Sequence, residues 1–302
     1  MTRWISAGAV LVGALLSMEG AMAAASAGDE QVTVQVGALA RTCVVHLPPA
    51  YDGRQSLPLV IALHGSRGSG KGMAAYTGLS ALADEHGFIA AYPDGIVEPH
   101  SWNSLFGRVP GGTGVLGDDI DDVAFIRALI DSLHASRHTD PGRVFVCGFS
   151  SGAYMSYRAA VKLPDKIAAA GIVCGSLGTK SVDGKPVPVT IPIPAAPISL
   201  IHIGGGRDGA VKLGGAQTPK NLFKPAAACV EFFGRADGCV LPGKETRDAE
   251  HGVTRTLYTG GRAGAEVELV IVDRSGHQWP TGKEGLSANE ELWGFFARHG
   301  KG

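Results

Sequence analysis

The sequence predicts an α/β protein in which a mostly parallel sheet is covered by helices on both faces. Three observations carry that expectation. Eight short runs read as strands, the later ones near-continuously apolar, helical stretches alternate with those later runs, and no internal repeat or linker divides the chain. A strand that is apolar along its whole length has both faces buried, which is the pattern of a parallel sheet between helices. Of the 302 residues, 45% are hydrophobic and only 18% charged, so apolar material for one large core is ample. The 27 basic and 28 acidic side chains leave a net charge of −1, with no basic patch of the kind that binds nucleic acid.

Taken in order, the first residues read as an export signal. Arg3 supplies the positive start, residues 4–17 the apolar run, and Ala21-Met22-Ala23 a small-residue cleavage site, with residues 25–27 as a later alternative. Residues 1–23 are therefore expected to be removed, leaving 24–302 as one domain in the periplasm or the medium. The run is interrupted by Gly8 and Gly13 and is too short to anchor the chain, and no later stretch reaches membrane-spanning length.

Residues 32–36 and 42–47 read as an antiparallel pair joined by a glycine-containing turn. Residues 59–63, 88–92, 144–147, 169–174, 198–203 and 267–272 complete about eight strands. Between them, residues 121–137 carry Val123, Ile126, Ile130 and Leu133 at helical spacing. Asp118, Asp119, Asp121 and Asp122 gather at the positive end of that helix dipole, and read as a helix start rather than a calcium loop, whose spaced ligands are missing. The last helix opens at Ser287, with Glu290 three residues on as a capping box. Residues 178–197 read as a loop insertion, and no second module is expected after residue 298. Five cysteines in an exported chain leave at least one outside any internal disulfide. Cys229 and Cys239, read as flanking a short polar turn after a helical-looking segment, are the expected pair, while Cys147 and Cys174 end apolar strands and read as small buried hydrophobes.

The chemistry centres on Gly148-Phe149-Ser150-Ser151-Gly152, a G-x-S-x-G lying between the strand ending at Cys147 and the helix beginning at Ala153. In that setting the serine falls on a tight strand-to-helix elbow that projects its hydroxyl outward, as in α/β-hydrolases. A serine hydroxyl attacks carbonyl carbon only when a base removes its proton and an acid orients the base. Of the later histidines, His277 stands in a loop just beyond the last strand, where such sheets place their ligands, whereas His202 lies inside a strand and reads as a core residue. Asp208, reached from strand 198–203 through Gly204-Gly205-Gly206-Arg207, is the expected acid, with Asp237 and Asp273 as alternatives. Backbone N–H groups of Ser151 and Ser66 are expected to form the oxyanion hole, and His64 is expected to brace its own loop. The segment from Gly65 to Gly72 approaches a P-loop but ends in glycine where a magnesium-binding hydroxyl is required.

With these residues placed, the chain resembles the secreted polyhydroxybutyrate depolymerase-like and feruloyl esterase-like family of the α/β-hydrolase superfamily over about residues 40–298. The resemblance rests on Leu63-His64-Gly65, Tyr92-Pro93-Asp94-Gly95, Trp102-Asn103, Asp122-Val123-Ala124-Phe125-Ile126, the Ser150 elbow, and Gly276-His277 with Trp279-Pro280. It implies Ser150, Asp208 and His277 as nucleophile, acid and base, and Trp102 and Trp279 as residues lining the substrate cleft, with neither cofactor nor metal. The chain departs from these relatives at the acid, where Gly204-Gly205 and Gly209 stand in place of His-Gly before it and Pro after it, which predicts a differently shaped or looser loop.

The resulting expectation is an exported serine carboxylesterase working through an acyl-enzyme on ester substrates: polyhydroxybutyrate oligomers, or feruloyl or acetylxylan-type esters. Without an adsorbing module in this sequence, soluble esters are favoured over crystalline polymer. Two rivals keep the same fold: a non-catalytic binding protein of the cell envelope, and a peptidase.

Overall fold

A computed structural model describes residues 28–97, 99–106, 120–182, 185–186, 190–218 and 221–301. The expected export segment and Asp118 and Asp119 lie outside the described residues. In chain order the elements are β1 (Gly28–Val36), β2 (Leu39–Leu47), β3 (Leu57–Leu63), α1 (Gly70–Thr77), α2 (Leu79–His86), β4 (Ile89–Pro93), α3 (Asp122–Arg137), β5 (Thr139–Phe149), α4 (Ser151–Lys162) and β6 (Ala169–Val173). They continue with β7 (Gly178–Val182), β8 (Lys185–Pro186), β9 (Ser199–Gly205), β10 (Ala216–Gln217), β11 (Asn221–Phe223), α5 (Ala226–Asp237), β12 (Lys244–Asp248), β13 (Val253–Tyr258), β14 (Val267–Val272) and α6 (Ala288–Arg298).

The main sheet has the order β1-β2-β4-β3-β5-β6-β9-β14-β13-β12. Its six central strands, β4 to β14 in that order, run parallel, and antiparallel pairs close both edges. Alternation along β3 shows how the sheet divides the core: Leu59, Ile61 and Leu63 face the side covered by α3, α4 and α5, whereas Val60 and Ala62 face the side covered by α1, α2 and α6. Side-chain capping sets three of the helix starts, and Ser69 begins α1 by accepting the Gly72 N–H at 3.0 Å. Asp121 accepts the Ala124 N–H at 2.9 Å to begin α3, and Ser287 accepts the Glu290 N–H to begin α6. No helix among the described residues is long and apolar enough to cross a membrane.

Among the described residues ten strands, rather than about eight, make the sheet. The two extra ones, β12 and β13, read KETRD and VTRTLY. Edge strands meet water along one side and tolerate charge, so they lack the apolar run that marks a central strand. Residues 178–197 also differ from a plain loop, because β7 and β8 pair with β10 and β11 in a second, four-stranded sheet.

The expected Cys229–Cys239 disulfide is absent, and all five cysteines are buried free thiols. The segment between the two cysteines is helix α5 rather than a turn. Cys229 lies in the first turn of α5 and Cys239 two residues past its end, so about eight residues of helical rise, roughly 12 Å, separate them, beyond the roughly 7 Å that a disulfide can bridge. Each sulfur has its own surroundings: Cys229 Sγ receives the Leu177 N–H at 3.2 Å, and Cys239 Sγ points to the Ala265 carbonyl.

His202 is the core histidine its strand implied, fully buried in β9 with Nδ1 2.7 Å from the Tyr157 hydroxyl. Burial pushes its imidazole down to about 4. The unfolded chain binds that proton near pH 6.5, so between about 6.5 and 4 the unfolded state holds the extra proton and stability declines as pH falls. Above about 6.5 the contribution is fully present; by pH 5 the loss should reach about 2 kcal/mol. Urea titrations at pH 7 and pH 5 should show that decline, and His202→Asn should reduce it by about this amount. An identical pH dependence in the variant would refute the linkage.

Candidate active site

Ser150 joins β5 to α4 with φ 54° and ψ −116°, a left-handed backbone that a residue with a side chain adopts only under local constraint. The flanking glycines allow it. A Cβ on Gly148 would strike the carbonyl of Gly152, and one on Gly152 would strike the carbonyl oxygens of Leu63 and His64 at the end of β3. This close approach brings the elbow against the loop that follows β3.

Two further loops at the same sheet edge supply the partners. The loop after β14 carries His277, whose Nε2 is 3.0 Å from Ser150 Oγ. The loop after β9 carries Asp208, whose Oδ2 is 2.8 Å from His277 Nδ1. A carboxylate only accepts, so Nδ1 holds the ring proton and Nε2 offers its lone pair to the serine hydroxyl. The Asp208 side chain is wholly buried and that of His277 is 26% exposed, so the base opens to solvent while the acid does not. Such a chain can draw a proton from the hydroxyl and hold the resulting imidazolium.

The acid loop is not loose. Asp208 Oδ1 accepts the N–H groups of Ala210 and Val211 at 2.8 and 2.7 Å, and Arg207 N–H bonds the Ser275 carbonyl at 2.9 Å. Gly205 is where the two loops touch: a Cβ there would collide with the carbonyl oxygens of Gly276 and Ser275. The alternative acids are engaged elsewhere. Asp273 pairs with Arg247 at 2.6 Å, while Asp237 is buried beside the Ile198 N–H, where burial pushes its carboxyl up to about 6. His251 and His299 likewise pair with Asp248 and Glu266.

The loop after β3 is held by the residues that carry the family resemblance. His64 Nδ1 donates to the Gly65 carbonyl at 2.7 Å and its Nε2 accepts the Gly95 N–H at 2.9 Å, which is the bracing role expected of it. Burial pushes this imidazole down, keeping it neutral for both bonds. Within the loop, Arg67 N–H bonds the carbonyls of Pro99 and His100, and Gly68 N–H bonds that of Gly65. Ser66 N–H has no such acceptor among the described residues, and Ser151, first residue of α4, has an N–H that no intrahelical carbonyl can reach.

The tryptophans stand apart from the expectation that they line the cleft. Trp102 is 4% exposed, donates Nε1–H to the His64 carbonyl at 2.8 Å and packs on the His64 ring; Trp279 is 2% exposed and donates Nε1–H to Asn289. Both are packed beneath the loops. The aromatic surface beside His277 comes instead from Phe149, whose ring centre lies 4.9 Å from the imidazole, and Tyr76, which packs on Phe149 and is 47% exposed. On another flank Phe223 of β11 stacks on Tyr154 of α4. Cys174 lies beneath the His277 loop, its sulfur 3.4 Å from the Gln278 carbonyl, with burial pushing the thiol up to about 12. Nothing in the local sequence of Tyr76, Phe223 or Cys174 marks them, because only the folding of separate segments brings them to this edge.

Known proteins similar to this chain are esterases. The family model described as "Esterase PHB depolymerase" matches residues 42–183. "Putative esterase NocK" of Nocardia uniformis subsp. tsuyamanensis is 33% identical over 251 residues, covering 78% of this chain and 68% of that protein. "Feruloyl esterase B" of Piromyces equi is 28% identical over 81% of this chain, which spans 44% of that relative's length. Among solved structures, an acetyl xylan esterase from Aspergillus awamori shares the fold with a TM-score of 0.63 at 16% identity, over 88% of this chain and 99% of that one.

If Gly205 is what lets the two loops meet, Gly205→Ala should displace His277 without unfolding the sheet. A shift of about 1 Å at the reacting groups costs on the order of 10² in rate. Steady-state kinetics on a model ester, with circular dichroism as the control for folding, should show kcat reduced by about that factor; an unchanged kcat would contradict the close-approach argument.

Proposed function

The chain belongs to the PHB-depolymerase family of esterases, and from that premise we propose that it is an exported serine carboxylesterase acting through an acyl-enzyme on polyhydroxybutyrate oligomers or on feruloyl or acetyl esters of plant cell-wall polysaccharide. The observation that carries the reading is the continuous chain from Ser150 Oγ through His277 to Asp208, at 3.0 and 2.8 Å, starting from a strained elbow. Export is supported by the reading of residues 1–23 as a signal.

In this mechanism Ser150 attacks the ester carbonyl while His277 Nε2 takes the hydroxyl proton, and Asp208 holds the ring and stabilises its positive charge. The N–H groups of Ser151 and Ser66 receive the oxyanion of the tetrahedral intermediate. His277 then returns the proton to the departing alcohol, and water, activated by the same imidazole, hydrolyses the acyl-enzyme. Because the alcohol leaves on the side of His277, it departs along the aromatic surface of Phe149 and Tyr76, which suits a ring-bearing alcohol.

Ser150→Ala should lower kcat on a p-nitrophenyl ester by on the order of 10⁶, and Asp208→Ala by about 10⁴. Retention of most hydrolysis by Ser150→Ala would rule the mechanism out. Stoichiometric labelling of Ser150 by a fluorophosphonate distinguishes an enzyme from a binding protein that has kept the cleft, and slow turnover of an amide analogue against rapid ester turnover distinguishes it from a peptidase. Hydrolysis of feruloyl, acetylxylan and hydroxybutyrate-oligomer esters, compared side by side, assigns the substrate; inactivity on all three would overturn the substrate class.

A further inference from the structure

Cys174 follows β6 directly beneath the His277 loop, and the reaction proposed above leaves it without a part. Its backbone holds φ 51°, its N–H bonds the Ile203 carbonyl at 2.9 Å, and its sulfur lies 3.4 and 3.7 Å from the carbonyls of Gln278 and Gly276, on either side of His277. One donor atom each from Cys174, Asp208 and His277 lie within 4.8 Å of one another. Thiol and carboxylate are buried, and the imidazole is partly open to solvent.

We propose that Cys174, Asp208 and His277 form a binding site for a thiophilic divalent cation, of the zinc and cadmium class, and that its occupation silences the serine above it. Bonds of about 2.0–2.3 Å from sulfur, nitrogen and oxygen surround such an ion, so its ligand atoms stand roughly 3–4 Å apart. Three donors already within 4.8 Å reach that spacing by small side-chain rotations. The sulfur selects against magnesium and calcium, which are held by oxygen.

The step balances as follows: the cation enters, Cys174 releases its thiol proton to water, and the carboxylate and His277 each contribute a lone pair. Nδ1 is the ring atom facing Asp208, so its proton transfers to Nε2 on coordination. A protonated Nε2 cannot accept a proton from Ser150, and a carboxylate bound to the ion no longer orients the ring. Inhibition therefore follows from the loss of the base's lone pair, without any group blocking the cleft. The site rests on the placement of three donors, so binding tests it independently of ester hydrolysis.

The full chain, titrated with Cd²⁺ while thiolate-to-cadmium charge-transfer absorption is followed, should bind one equivalent with the band, as should Ser150→Ala and the control Cys147→Ala. Cys174→Ala should lose the band and bind at least tenfold more weakly. Ester hydrolysis and fluorophosphonate labelling by the wild type should fall in step with the band. Should Cys174→Ala fail to fold, Asp208→Asn and His277→Gln carry the test, each weakening Cd²⁺ binding at least tenfold. An unchanged band in Cys174→Ala, unchanged affinity in the other two, inhibition without a band, or hydrolysis that persists in the Cd²⁺-saturated protein would each overturn the site. A wild type that binds Cd²⁺ with the band but hydrolyses no ester would support this site and overturn the esterase reading instead.

Discussion

The strained backbone at Ser150 is the constraint on which the rest of the site depends. A left-handed φ at a residue with a side chain costs of order 1–3 kcal/mol and persists only where the surroundings over-determine it. Here the surroundings are β5 and α4 meeting across Gly148 and Gly152, with β6 holding the elbow from below through the bond from Ser150 N–H to the Val173 carbonyl. The strain turns the hydroxyl away from the sheet and toward His277. It also presses the start of α4 against the end of β3, so the elbow and the loop carrying Ser66 are positioned by one contact.

A second layer of polar contacts fixes that loop. Arg41, buried in β2 over the Phe125 ring, donates to Asp122 at 2.7 Å and to the Asp94 carbonyl at 3.0 Å. Asp122 also accepts the Asn103 N–H at 2.7 Å, and Asp94 accepts the Gly70 N–H and the Thr42 hydroxyl. Together with His64 and Trp102, these bonds tie the segments around residues 42, 64, 94, 103 and 122 into one support. Burial pushes the Asp122 carboxyl up even though Arg41 pulls it down, and a buried pair of this kind is strongly destabilising when one partner is removed. The motifs that carry the family resemblance thus do structural work beneath the reacting groups. That explains why Trp102, so prominent in the sequence, has almost no surface to offer a ligand.

Much of this was legible before folding was considered. Central strands bury both faces and must be apolar throughout, so six of them stood out, as did α3 with the carboxylates at its start and α6 with its capping box. The elbow was legible because a strand, two glycines and a helix start flank Ser150 within a few residues. The edge strands β12 and β13 were not, since half-solvated strands carry charge, and the disulfide expectation failed because a helical segment was read as a turn. Asp208 is less legible for a related reason: a carboxylate after a strand is common, and its selection over Asp237 and Asp273 depends on which loop meets the loop of His277.

Local pattern therefore determined the layered α/β architecture, the elbow and the choice of Ser150 and His277 as candidates, because each depends on residues close together in the chain. Tertiary structure alone decided which aspartate faces the imidazole, that the tryptophans lie under the loops rather than in the cleft, and that Cys174 joins Asp208 and His277. Those relations link residues from 34 to 127 positions apart in the sequence. Spacing along a chain carries no information about distance across a sheet edge until the strands have taken their order.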